Sequence, residues 1–238
     1  MTDPLADKNL NLQKGIISWA VKGVSYKAYV AIVLMLSAGR WNWGSGWLYV
    51  IIFLTFDLAT ALVVIPRDPT LLIERSRSHP DVKSWDKVIM PLAAGLLPLA
   101  GWIIAGLNER WSWNPTVSQT WQLIGILITV IGHGIVVWAM SANIFFSPLV
   151  RIQDERGHTV AEGGPYNFIR HPGYVGAILF TVGVPILLGS WWAFIPNLVA
   201  VILFIIRTAL EDKTLIEELP GYADFVQRVK FRLIPGIW

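Results

Sequence analysis

The sequence predicts an all-α fold: a polytopic integral membrane bundle of about six transmembrane helices, with both termini cytoplasmic. Three observations carry that expectation. Of the 238 residues 54% are hydrophobic and only 15% charged, whereas a soluble domain carries about 25% charged residues. Apolar stretches approaching the roughly 20 residues that cross a bilayer as a helix recur along the whole chain. There are 13 Trp residues, and Trp favours the border between lipid and water, where its ring is buried and its N–H stays wet.

The segments follow in order. Met1 to Lys14 is polar and shows no cleavage signature, so the first spanning helix is expected to act as an uncleaved anchor. That helix, near 24–40, is the weakest, because Lys27 lies inside it and Arg40 closes it. Stronger stretches occupy 46–65, 88–107 and 120–142. The pair 174–190 and 192–210 is separated only by a tight turn around Gly189 to Trp192. Pro185 and Pro196 fall inside this pair, where neighbouring helices can satisfy the freed backbone groups.

Charge sets the expected orientation. All of the 19 Lys and Arg residues except Arg40 and Arg110 fall on one side of this topology, Arg67, Arg75, Arg77, Lys83 and Lys87 among them. The positive-inside rule makes that side cytoplasmic. The opposite turns carry Trp41, Trp43, Trp47, Trp111, Trp113, Trp121, Trp191 and Trp192, an aromatic belt. The long polar pieces Pro66 to Lys87, Asn143 to His171 and Glu211 to Trp238 all lie on the cytoplasmic side, where a water-soluble cofactor would be met.

Several chemistries are excluded. Cysteine is absent, so disulfides and thiolate chemistry drop out. His79, His133, His158 and His171 show no ligand spacing, so no metal site is expected. There is no GxSxG and no phosphate-cradling GxxxxGK[ST]. The basic residues line a membrane face rather than a soluble fold, so nucleic acid is not an expected partner.

Three constellations remain. Gly164 to Tyr174 is the densest polar and aromatic cluster, its turns set by glycine and proline; the plain alternative is a loop whose Tyr and His anchor at the headgroups. Arg207, Glu211 and Asp212 close the last long helix. Residues four apart share a helix face, so spacing alone fits a snorkelling Arg207 paired with Glu211. The functional reading is a guanidinium that holds a carboxylate or headgroup. The charged stretch Pro66 to Lys87, with Asp68, Glu74 and Asp86, reads as a solvated loop or as a lid. Asp57 and His133 lie mid-helix, where an ionisable residue is either a functional group or a satisfied packing element.

With these residues in hand, the region from about Arg151 to Trp238 resembles the isoprenylcysteine carboxyl methyltransferase family and, more distantly, phospholipid N-methyltransferases. The resemblance is carried by His158-Thr159-Val160-Ala161, Gly164-Pro165-Tyr166, Arg170-His171-Pro172-Gly173-Tyr174-Val175-Gly176, Arg207 with Glu211-Asp212, and the terminal Tyr/Pro pattern. It implies a single membrane domain, with helices and a loop in 1–142 and a methyltransferase-like core in 143–238. It further implies S-adenosylmethionine as cofactor, S-adenosylhomocysteine as product, and a lipophilic or prenylated acceptor entering from the bilayer among membrane lipids. By the same resemblance His158, Thr159, Val160, Ala161, Tyr166, Arg170, His171, Pro172, Gly173, Tyr174 and Glu211 line the cofactor site. Arg207 faces the acceptor, with Glu211 at the reacting end. Two departures stand out: some relatives carry a cofactor-contacting Gln where this chain has Arg151, and the family's Glu-Glu pair is Glu211-Asp212 here.

An isoprenylcysteine-type carboxylate is the acceptor this resemblance favours; amine, quinone-like and thiol acceptors stay open, as does the oligomeric state. An amine or thiol would need a base, for which His171 or Glu211 is the candidate. The rival enzyme class is an NADPH-dependent membrane sterol or steroid reductase, for which Arg151, Arg156 and Arg170 could cluster around phosphates. A transporter is disfavoured because no inverted repeat is visible. The membrane would be the cell inner membrane in a bacterium or archaeon and the endoplasmic reticulum in a eukaryote.

Overall fold

The computed structural model describes residues 4–75, 79–113 and 115–238, with side chains from Leu12 onward. Arg77, counted in the charge tally, lies outside the described residues. Among those described the fold is all helix, with no strand. Its order is α1 (Pro4–Ala38), α2 (Gly44–Val64), α3 (Thr70–Arg75), α4 (Asp86–Pro91), α5 (Leu97–Trp111), α6 (Gln119–Ala142), α7 (Pro172–Leu187), α8 (Phe194–Glu218) and α9 (Tyr222–Arg228). Short 3₁₀ turns at Asp154–Arg156 and Gly164–Asn167 break the loop between α6 and α7.

Five helical stretches are long and apolar enough to cross a membrane: Leu12–Ala38, Gly44–Val64, Asp86–Trp111, Gln119–Ala142 and Phe194–Glu218. Only 22–44% of each is buried within the protein, and the outward faces carry residues such as Leu62, Leu123 and Ile195. A helix that is apolar all round belongs in lipid, so this is an integral, multi-pass membrane protein. The sixth expected span is α7, which has 16 residues. At 1.5 Å per residue it reaches only ~24 Å against a hydrocarbon core of ~30 Å. It is cut short because Pro172 starts it at the polar loop and Gly189, at φ +78°, turns the chain beyond its end.

The weak first segment proves to be part of a longer helix. Lys27 pairs with Asp57 of α2 at 2.6 Å and lies 4.3 Å over the Phe53 ring, so its charge is compensated inside the bundle. His133 is stacked between Phe56 and Phe180, at 4.5 and 4.7 Å between ring centroids. Asp57 and His133 both pack inside the bundle, and the buried His133 Nδ1 has no hydrogen-bond partner among the described residues.

The third span is interrupted. Pro91 lacks an N–H, and the helix continues through a π-helical turn, Leu92–Leu96, before α5. The Leu97 N–H reaches back five residues to the Leu92 carbonyl. The closest helix contact is between α6 and α7. A Cβ on Gly176 would lie 2.5 Å from the Gly132 carbonyl oxygen, and one on Gly183 would lie 2.4 Å from Thr129 Oγ1. The glycines therefore permit backbone-to-backbone approach, as small residues do in membrane bundles.

The three long polar pieces converge at one end. Lys83 meets Glu218 at 2.6 Å, Arg228 pairs with Glu162, and the Lys83 N–H donates to the Val150 carbonyl at 3.0 Å. This end holds a cavity lined by both apolar and polar side chains.

Candidate active site

The last turn of α6, the 143–171 loop, the N-terminal end of α7 and the C-terminal half of α8 enclose a cavity of about 260 Å³, just under the roughly 300–1,000 Å³ of common small-molecule sites. One limb is aromatic and polar, with Phe145, Tyr166, Tyr174 and Tyr222; the other runs into the bundle past Phe56, Met90, Val136 and Phe180.

Asp212 anchors the wall. It is fully buried and accepts hydrogen bonds from Arg170 Nε (2.8 Å) and Nη2 (3.0 Å), His171 Nε2 (3.0 Å), Tyr222 OH (3.0 Å) and Arg232 Nε (2.7 Å). Arg170 Nη1 donates to the carbonyls of Val229 and Lys230, both at 2.8 Å. The N–H groups of Arg170 and His171 donate to the Phe231 and Arg232 carbonyls. The Arg-His-Pro element is thus stitched to the 229–233 segment, and the donors of Arg170 are consumed by the fold. Burial and the neighbouring Asp212 carboxylate push the Tyr222 hydroxyl above its ordinary range, so it stays a neutral donor.

Glu211, one residue earlier, faces the cavity. It accepts from the Tyr174 hydroxyl, and no basic side chain of the described residues lies within ion-pair distance of it. It is the one carboxylate among the lining residues described. Arg207 does not pair with it, contrary to the helix-spacing reading. Arg207 Nε and Nη2 instead bind the two oxygens of Asp86 at 2.6 and 2.9 Å, and Nη2 also donates to the Pro148 carbonyl at 2.8 Å. Its guanidinium lies 5.2 Å over the Tyr174 ring. No described residue hydrogen-bonds its Nη1.

Arg75 and Arg151 also line the cavity, and Arg156 does not. Arg151 binds Glu74, Asp81 (2.7 Å) and Glu155 (2.6 Å). Burial raises the Asp81 carboxyl, but the Arg151 hydrogen bond outweighs it and holds the group below its usual range. Arg156 is taken by Gln153 Oε1 and the Ile144 carbonyl, with Asp68 at 3.5 Å. Arg75 differs: it donates to the Phe146 carbonyl at 3.3 Å and lies over the Phe146 ring, with no carboxylate of the described residues on it. Burial lowers it to about 10, so it remains charged at neutral pH.

Of the residues expected in a cofactor site, His158, Thr159, Ala161, Tyr166, Arg170, His171, Gly173, Tyr174 and Glu211 line this one cavity, together with Arg207. Two do not. Val160 packs in the apolar cluster of Tyr222 and Phe225, and Pro172 is buried in the first turn of α7. Gly164, at φ +51°, supplies the left-handed turn that sets Tyr166 against Asn143. Burial raises the Tyr166 hydroxyl. His158 is pushed down to about 4 by burial and then by Arg151, and its Nδ1 accepts the Gln153 N–H at 3.3 Å. His171 engages Asp212 through Nε2.

Sequence reasoning placed Asp86 only in a solvated loop or lid, without its partner Arg207, and did not single out Gln153 or Phe145. Asp86 left one signal: an acid placed directly before an apolar run must find a cation once buried. A glutamine does line the cavity, but it is Gln153 rather than position 151.

Comparison with known proteins points the same way. Residues 121–219 match the phospholipid methyltransferase family. Curated relatives named protein-S-isoprenylcysteine O-methyltransferase include those of Mus musculus, 28% identical over 161 residues (66% of this chain, 52% of the relative), and Xenopus laevis, 32% identical over 77 residues (31% and 27%). The protein-S-isoprenylcysteine O-methyltransferase B of Arabidopsis thaliana is 26% identical over 126 residues (52% and 60%). The chain therefore spans between 27% and 60% of the length of these relatives.

Proposed function

We propose that the protein, whose residues 121–219 match the phospholipid methyltransferase family and which is similar to protein-S-isoprenylcysteine O-methyltransferases, methylates the carboxylate of an isoprenylcysteine-type lipid at the enclosed end of its bundle. The observation that carries the reading is the pair of ligand-facing groups on one turn of α8: Glu211 without a cation, and Arg207 with its Nη1 unspent.

S-adenosylmethionine supplies a methyl group on a sulfonium carrying both charges of an amino acid. The residues present fit such a molecule. Glu211 and Arg75 are charges of opposite sign in the cavity wall with no ion pair to any described residue, and aromatic faces beside a carboxylate favour a cation. Tyr166, Tyr174, His158 and Thr159 would hold the nucleoside and sulfonium end. A dinucleotide fits poorly, since Arg151, Arg156 and Arg170, the arginines a phosphate cluster would need, are committed to Asp81, Asp68, Asp212 and their neighbours. That favours methyl transfer over the reductase.

The side chains then divide the work. Arg207 Nη1 donates to one oxygen of the acceptor carboxylate and holds the other toward the cofactor; such positioning supplies much of a bimolecular rate. A carboxylate is already nucleophilic, becomes an ester and releases no proton, so the engagement of His171 by Asp212 costs nothing. The Tyr174 hydroxyl fixes Glu211. The hydrocarbon of the acceptor lies against Phe56, Met90, Val136 and Phe180, and the apolar wall keeps water from the nucleophile. The mouth faces the cytoplasm in this reading.

The test uses membranes containing the protein, labelled S-adenosylmethionine and N-acetyl-S-farnesylcysteine. A base-labile methyl ester is expected; a base-stable product would reassign the acceptor to an amine or thiol. S-adenosylhomocysteine, and not NADPH, should raise the melting temperature. Glu211→Gln should weaken that ligand about 10- to 150-fold, the worth of roughly 1.5–3 kcal/mol for a hydrogen bond to a charged group. Stabilisation by NADPH alone would overturn the reading.

A further inference from the structure

The carboxylate that meets Arg207 comes from α4, 121 residues away in sequence and outside the stretch that matches the family. We propose that Asp86 is the positioning residue for Arg207, so that the N-terminal half completes the acceptor site rather than only anchoring it; this rests on the methyl-transfer reading above.

Asp86 is fully buried and Arg207 is 5% exposed. Both carboxylate oxygens are engaged by one edge of the guanidinium, Nε and Nη2. The acid is itself held by the Val150 N–H at 2.7 Å, and the Pro148 carbonyl takes the second Nη2 proton. A planar guanidinium gripped bidentately at one edge keeps a single orientation, which leaves Nη1 without a hydrogen bond from the described residues in an arginine that lines the cavity.

Two consequences follow. The guanidinium cannot turn to follow a misplaced acceptor, so its remaining donors define where a carboxylate oxygen sits. Its charge is also largely offset by Asp86, so the acceptor is held by directed donation more than by net attraction. Removing the Asp86 charge should therefore strengthen attraction for an anionic acceptor while loosening its aim. Binding and turnover should part company, which a purely structural residue would not cause.

The experiment compares wild type with Asp86→Asn and Asp86→Glu in detergent. It measures S-adenosylhomocysteine affinity, N-acetyl-S-farnesylcysteine affinity by Trp fluorescence, and kcat. With Asp86→Asn the acceptor should bind at least as tightly as to wild type, while kcat falls by tenfold or more and S-adenosylhomocysteine affinity stays within about threefold, a small change on the affinity scale. Asp86→Glu keeps the charge, and hence the fold, but shifts the guanidinium by about one methylene. It should lower kcat at least fivefold, since a misplacement on the order of 1 Å is costly to a reacting pair. Unchanged kcat in either variant, or acceptor affinity lost in parallel with kcat in Asp86→Asn, would overturn the proposal. A wild type that binds S-adenosylhomocysteine yet neither binds nor methylates the farnesyl probe would instead sink the acceptor assignment; in that case tighter binding of an anionic lipid by Asp86→Asn than by wild type still reports the pairing, and its absence counts against it.

Discussion

Asp212→Asn is the most informative single perturbation of the cavity wall, because its cost can be worked out bond by bond. The amide must turn one carboxylate oxygen into an NH₂ group. Placed at Oδ2 it faces Arg170 Nη2 and Arg232 Nε; placed at Oδ1 it faces Arg170 Nε, His171 Nε2 and the Tyr222 hydroxyl. The cheaper choice forfeits two charge-assisted hydrogen bonds of about 1.5–3 kcal/mol each. The sum, roughly 3–6 kcal/mol, matches the about 3–5 kcal/mol lost when one partner is taken from a buried ion pair. At about 2–4 °C per kcal/mol for a chain of this size, the melting temperature should fall by roughly 6–24 °C. The native Trp fluorescence of detergent-solubilised protein reads the transition, with exposed Asp224→Asn as control. Amide exchange should rise in the 229–233 segment, whose carbonyls receive the Arg170 and His171 donors. A melting temperature within 2 °C of wild type and unchanged exchange there would refute the anchoring role.

Two further outcomes follow from the geometry. His158 has a folded-state pKa pushed down to about 4 against about 6.5 in an unfolded chain, so folding favours the neutral ring; its stabilising contribution is complete above pH 6.5, erodes as pH falls toward 4 and is absent below, and a ring titrating above pH 6 by NMR would contradict this. Gly176→Val would drive a side chain into the Gly132 carbonyl and Val136, and should cost about 1–3 kcal/mol or more in the thermal melt; wild-type melting would show that α6 and α7 do not touch there.

The spans were legible because lipid demands long apolar runs, and each predicted stretch overlaps a helix. The extent of α1 was not, since hydropathy penalises Lys27 without knowing that Asp57 stands opposite. The cavity residues from His158 to Tyr174 were found through a resemblance, not through any pattern a single sequence must show. Pairing was the least legible. The i,i+4 rule joined Arg207 to Glu211, whereas the buried guanidinium took the acid that could reach it with both oxygens, Asp86. Arg151, Arg156 and Arg170 looked free for phosphate only because Glu74, Asp81, Asp68 and Asp212 come from distant segments.

The π turn at Leu92–Leu96 makes the third span a timing element as well as an anchor. Each residue of an α-helix advances the chain by about 100° and ~1.5 Å, whereas a π turn takes up one extra residue locally, so the Asp86 end keeps its facing relative to α5 despite that residue. A single-residue deletion inside this turn should therefore leave Asp86 facing Arg207, whereas the same deletion in the regular winding of α5 would turn that carboxylate about 100° away without touching any residue that lines the cavity.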